Sequence, residues 1–121
     1  MNIMNDTIRI LEKALDVRMA NNRVIASNLA NVDTPGFQAN RMDFEETMRQ
    51  VTLAIEAGES DPQVEAIILP TSDPAVGLDG NNVNMEKELG ALTANGTQYQ
   101  LTARLLAAKL REIQTILDSG A

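Results

Sequence analysis

The chain has 121 residues, enough for one domain, and carries 17 acidic against 10 basic side chains for a net charge of −7. It contains neither Cys nor His, which excludes disulfides, thiolate metal sites, the usual general base and the usual near-neutral pH switch. Phe37, Phe44 and Tyr99 are its only aromatic residues, so the apolar content suits helix seams better than a deep core, and the isolated chain is expected to be marginal.

The first predicted element is a helix from about Asn5 to Asn31, about 40 Å long at about 1.5 Å per residue. Asn5 or Asp6 is placed to cap it. Along it runs a seven-residue repeat: Met4, Ile8, Leu11, Leu15, Arg18, Asn22, Ile25, Leu29, Val32. Steps of three and four keep the stripe on one side of a helix. Arg18 and Asn22 interrupt it, either as tolerated defects at a partly exposed seam or as polar residues that set register and partner choice. The helix stops at Val32-Asp33-Thr34-Pro35-Gly36-Phe37. Pro35 disfavours helical geometry at Thr34, and Pro-Gly suits a type II turn with positive φ at Gly36.

A shorter helix of about three turns follows, ending near Gly58. Asp43 with Glu46 three residues on resembles a capping box, and Phe44, Met48, Val51 and Ile55 share one face. Ile67-Ile68-Leu69 reads as a short extended segment packing on something apolar. The rest of 58–83 is rich in Asp, Pro, Gly, Ser and Asn; it should be mobile alone and become ordered where neighbours clamp it.

The last helix starts at Asn84, a good cap, and continues to about Asp118, about 50 Å by the same rise. Its stripe is Met85, Leu89, Leu92, Gly96, Tyr99, Ala103, Leu106, Leu110, Ile113, Leu117, widened by Leu101, Leu105 and Ile116. Asn95-Gly96 is its weak point, costing roughly 1 kcal/mol relative to Ala and read first as a bend or fray point, otherwise as a place for another helix to pack closely.

The predicted fold is therefore all-α. Long N- and C-terminal helices pair as a coiled-coil-like hairpin around a short helix and an irregular acidic segment. Its parts are 1–33, an N-terminal coiled-coil helix; 34–83, a turn, short helix and flexible acidic insert; and 84–121, a C-terminal coiled-coil helix. Residues 1–32 carry a net +1, residues 84–121 are neutral, and residues 33–83 hold −8. Near-neutral helices pack against copies of themselves without large repulsion; the acidic insert faces solvent or a basic partner and argues against nucleic acid.

No arrangement of residues suggests an enzyme. Ser27, Ser60, Ser72 and Ser119 have no His to activate them, and Glu45 and Glu46 are adjacent and do not converge on one spot. Asp79-Gly80-Asn81-Asn82-Val83-Asn84 hints at a calcium loop but lacks its ligand spacing and final glutamate, so it is read as a turn. No cofactor or metal is expected. No apolar run approaches the roughly 20 residues of a transmembrane segment. No basic region followed by an apolar run opens the sequence, so the expectation is the cytoplasm, or export by a route that reads no secretory signal.

Two segments then carry a resemblance. Ala14-Leu15-Asp16-Val17-Arg18, leading into Val24-Ile25-Ala26-Ser27-Asn28-Leu29-Ala30-Asn31-Val32-Asp33-Thr34-Pro35-Gly36-Phe37, resembles the N-terminal signature of bacterial flagellar rod and hook proteins. Asp79-Gly80-Asn81-Asn82-Val83-Asn84-Met85-Glu86-Lys87-Glu88 resembles the start of the C-terminal helix in the same group. With the adjoining seams the match covers about two-thirds of the chain. The short insert and Met42-Asp43-Phe44 after the turn look most like the proximal-rod members of the flagellar basal-body rod family.

The resemblance implies a self-assembling structural subunit of the proximal rod, forming drive shaft and export-channel wall for motility. It implies a periplasmic place in the basal body and delivery by the flagellar type III export apparatus without a cleaved signal peptide. Implied partners are copies of itself, FlgC-like rod proteins, the junction protein FliE and the MS-ring protein. The assembly interface is expected at the seam: Ile8, Leu11, Leu15, Ile25, Asn28, Leu29, Asn31, Leu89, Leu92, Tyr99, Leu106, Leu110, Ile113 and Leu117. Within it, Leu11, Leu15, Ile25 and Leu29 should meet Leu106, Leu110, Ile113 and neighbouring subunits, while Thr34, Pro35, Gly36 and Phe37 set the exit direction of the first helix. The alternatives are an FlgC-like sibling, a helical adaptor or export chaperone with the same seams, and a carboxylate-based metal-binding module using the acidic insert.

Overall fold

The computed structural model describes residues 3–120; the ends of the predicted parts that fall on Met1, Asn2 and Ala121 lie outside the described residues. In chain order the elements are α1 (Ile3–Ala30), β1 (Asn40–Met42), α2 (Phe44–Glu56), β2 (Ile68–Pro70) and α3 (Met85–Ser119). The molecule is mostly helical. α1 is the hub, with α3, α2 and β1 all packed against it.

α1 begins earlier than expected, so Asn5 and Asp6 lie inside the helix rather than at its cap. Asp6 instead pairs with Arg9 one turn on, 3.6 Å apart, while remaining near the positive helix end. Every seam position from Met4 to Val32 is at least partly buried, as the repeat requires.

α2 is held at its start by Asp43, whose carboxylate accepts from the Glu46 N–H at 3.1 Å. The expected capping box is only half formed. The Asp43 N–H donates to the Ile67 carbonyl at 2.8 Å. The Glu46 carboxylate turns to Arg49, at 2.6 and 2.7 Å. That hydrogen bond, with the guanidinium charge, holds the Glu46 carboxyl below its usual range. Val51 and Ile55 are buried to 2% and 1%, with Phe44 and Met48 half-buried beside them.

The extended segment expected at Ile67-Ile68-Leu69 exists one residue later, as β2. Its partner, β1, was not foreseen: a three-residue strand beside a turn has too short an alternation to read. The two pair antiparallel, with Asn40 opposite Pro70 and Met42 opposite Ile68. The remainder of 58–83 is irregular, as its composition predicts, but the clamp expected from neighbours is supplied by the same chain. Pro62 is buried, Lys13 of α1 pairs with Asp61, and Lys87 of α3 pairs with Asp73.

α3 starts on Asn84, whose side chain accepts from the Lys87 N–H at 3.2 Å. It runs unbroken through Asn95-Gly96, so the expected fray point is absent. Nothing lies within 4 Å of where a Gly96 Cβ would stand, so no helix of this chain packs against the missing side chain either. Hydrogen bonds from Asn28 to Glu88 and from Asn95 to Asn22 fix α3 antiparallel to α1. This corrects part of the expected pairing. A hairpin closed near residues 31–84 brings sequence-near ends together, so Ile25 and Leu29 sit level with the first turns of α3. They do not reach Leu106, Leu110 or Ile113; Leu11 lies at the level of Leu106.

Candidate assembly site

The buried apolar residues are few and fall in two groups: Val17, Val51 and Ile55 where α2 packs on α1, and Ile25, Ala39 and Val83 at the end of the hairpin where α1 stops and α3 starts. Around the second group the two sequence motifs lock together. The Thr34-Pro35-Gly36-Phe37 turn has Gly36 at φ +73°, with the Phe37 N–H donating to the Thr34 carbonyl at 3.2 Å. The Gly36 N–H reaches the Asp79 carbonyl at 2.9 Å, and the Asn82 N–H reaches the Phe37 carbonyl at 3.2 Å. Gly80, at φ +81°, turns the second motif alongside the first, and Gln38 donates to its carbonyl at 2.9 Å.

Each asparagine of the second motif closes a different piece of backbone. The Asn81 amide donates to the carbonyls of Asn31 and Thr34 at 2.8 and 2.7 Å, capping the C-terminal end of α1, and accepts from the Val83 N–H at 2.7 Å. Asn82 accepts from the Ala39 N–H at 2.6 Å and donates to Thr71 and Asp73. Asn84 caps α3. From the first motif, Asn28 (1% exposed) accepts from the Asn40 N–H at 3.0 Å, and donates to the Asn40 carbonyl at 2.7 Å and to Glu88 at 3.1 Å. These amides satisfy backbone groups that irregular chain would otherwise bury unpaired.

A second polar knot joins the helices midway. Asn95 donates to the Arg18 carbonyl at 2.8 Å and to Asn22 Oδ1 at 2.7 Å, and accepts from Asn21 at 3.1 Å. The Arg18 guanidinium lies 3.5 Å from the Phe44 ring centroid; burial lowers its pKa, and its Nε has no partner. The two interruptions of the α1 stripe are thus matched within the chain, as register-setting polar residues are.

α3 leaves its apolar side chains uncovered. Its buried residues, Glu88 and Asn95, are both polar, whereas Leu89, Leu101, Leu105, Leu110 (49% exposed), Ile116 and Leu117 (68%) face outward. Of the predicted interface residues, Ile25 and Asn28 are buried within the chain. Ile8, Leu11, Leu15, Leu29, Asn31, Leu92, Tyr99, Leu106 and Ile113 are half-buried; Leu89, Leu110 and Leu117 are exposed. In the turn, Thr34, Pro35 and Gly36 are exposed and Phe37 half-buried. The sequence reading did not single out Asn21, Asn81, Asn82, Glu88 or Asn95 as structural. The legible signal was the clustering of asparagine at the ends and middle of two apolar stripes.

Among the described residues no helix is long and apolar enough to cross a membrane, and no group of three or more acidic side chains is arranged to hold a metal ion. A clasped hairpin whose longest helix leaves apolar side chains exposed on more than one side is the architecture of a structural helical subunit. Residues 8–38 match the family described as "Flagella basal body rod protein". Curated relatives named "Flagellar basal body rod protein FlgB" span nearly the whole chain. The one from Bacillus subtilis (strain 168) is 30% identical over 99% of both chains. Those from Escherichia coli (strain K12) and Salmonella typhimurium are 28% and 27% identical over 97% of this chain and 96% of theirs. The chain therefore belongs to the flagellar basal body rod family and is a FlgB-like structural subunit of the flagellar rod, not an enzyme, placed in the basal body among other rod components.

Proposed function

We propose that this subunit builds the proximal rod. Its terminal helices line the drive shaft and the export channel, while the acidic 34–83 insert lies between subunits or further out. On this reading 1–33 and 84–121 are the assembling helices. The chain crosses to the periplasm through the flagellar type III export apparatus without a cleaved signal peptide. It then docks beside FlgC-like rod proteins, the junction protein FliE and the MS-ring protein. The supporting observation is the apolar surface that α3 leaves uncovered on more than one side: Leu101, Leu105 and Ile116 lie off the seam stripe, and Leu89, Leu110 and Leu117 lie along it with about half or more of their area exposed, although polar residues already lock the seam to α1. Such a surface is completed by sister subunits through contacts that propagate helically without closing.

The chain has no Cys, so single cysteines report contacts cleanly. Leu117→Cys and Leu101→Cys, each carrying a thiol-attached photo-crosslinker that needs no cysteine on the partner, should each give linked products with other rod subunits in isolated basal bodies. Cysteine at Glu45, exposed on the insert, should give fewer. If the α3 positions stay unlinked in assembled rods while Glu45→Cys links, the helices are not the shared surface.

A further inference from the structure

Asn95-Gly96 is the chain's one Asn-Gly pair. Glycine has no Cβ to hinder its own backbone nitrogen, so in flexible chain that nitrogen attacks Cγ of the preceding asparagine. The N–Cγ bond forms, the Cγ–Nδ2 bond breaks, and ammonia leaves with the proton released by the Gly96 nitrogen. Water then opens the five-membered imide at either carbonyl, leaving aspartate or isoaspartate.

The folded hairpin withholds both reactants. Gly96 lies inside α3, where amides point along the axis into the hydrogen-bond ladder. Asn95 is 3% exposed, and both ends of its amide are pinned: Nδ2 on the Arg18 carbonyl and Asn22 Oδ1, Oδ1 under the Asn21 amide. We infer that Asn95-Gly96 is a self-modification site gated by folding: reactive in the unfolded chain, closed in the hairpin, and damaging to the hairpin once converted. Aspartate carries no N–H, so both donated bonds vanish and an oxygen faces two acceptors; only the bonds its Oδ1 accepts, from the Asn21 amide at 3.1 Å and the Arg18 guanidinium at 3.5 Å, are retained. Isoaspartate adds a methylene to the backbone and interrupts the helical ladder.

The test compares the full chain in two arms at one mildly alkaline pH and temperature: urea, and buffer with sucrose added until circular dichroism shows the helices formed. Trypsin releases the peptide 88–104, in which Asn95 is the single asparagine. Replacement of its NH2 by OH, read by mass, should run more than about tenfold faster in urea, because the folded arm reacts only through its open fraction. Gly96→Ala, which meets open space, should suppress the urea reaction, and Asn95→Asp should lower the melting temperature. Asp79-Gly80 forms the same imide without net mass change and does not interfere. Equal rates in both arms overturn the inference. So does an unconverted peptide in urea when a control Asn-Gly peptide in the same tube converts.

Discussion

Asn81 illustrates how a single amide does structural work here. It ties the end of α1 and the Thr34 turn to the residues that lead into α3. Asn81→Ala leaves the Val83 N–H unpaired in a buried position, since Val83 is 1% exposed, and frees two carbonyls. A cost of about 2 kcal/mol is expected, read as a lower urea midpoint at unchanged slope. Gly36 makes a different prediction. A Cβ there would meet nothing within 4 Å, so the penalty of substitution is the positive φ alone. Gly36→Ala should cost about 1–2 kcal/mol, and the β-branched Gly36→Val more. Because the same residue bonds the Asp79 carbonyl, Gly36→Val should be synthesised normally yet block rod assembly and motility. Normal rods built from it would remove any role for left-handed backbone at that turn.

At the scale of elements, α3 divides stability from assembly. Leu110 is half exposed in the single chain, so Leu110→Ala should cost the isolated protein only about 1 kcal/mol of lost burial. If neighbours cover that face in the rod, the same change should cost about 2–5 kcal/mol there. Motility should therefore fall further than the urea midpoint implies; untouched motility would take Leu110 out of the interface. The helices, their caps at Asp43 and Asn84, and the Pro35-Gly36 turn were legible because each depends on local chemistry. What was not legible is non-local. β1 is recognisable only from its pairing with β2. Asn95 read as a weak point because its partners, Arg18, Asn21 and Asn22, lie more than seventy residues away in sequence. The stripes themselves showed which faces are apolar but not their register, which the polar residues between them decide.

For the molecule as a whole, three buried apolar residues, Ile25, Ala39 and Val83, sit at the clasp and three more, Val17, Val51 and Ile55, lie where α2 packs on α1, while much of the hydrophobic surface of α3 remains in contact with water. Folding must offset roughly 1–2 kcal/mol of backbone entropy per ordered residue, and the distal half of α3, which α2 does not cover as it covers α1, has little burial with which to do so in one chain. The clasp end should therefore outlast the far end of α3, which should form fully only when other subunits cover it. Anything that binds the folded state alone stabilises it by mass action, so helicity and melting temperature should fall on about a hundredfold dilution. Far-ultraviolet circular dichroism across a concentration series measures this. Hydrogen exchange at the lowest concentration should leave amides near Asn28 and Val83 protected after those beyond Leu106 have exchanged. A dilute monomer with full helicity, one cooperative melt and uniform protection would show that the hairpin closes its own core, and the exposed leucines of α3 would then need another explanation.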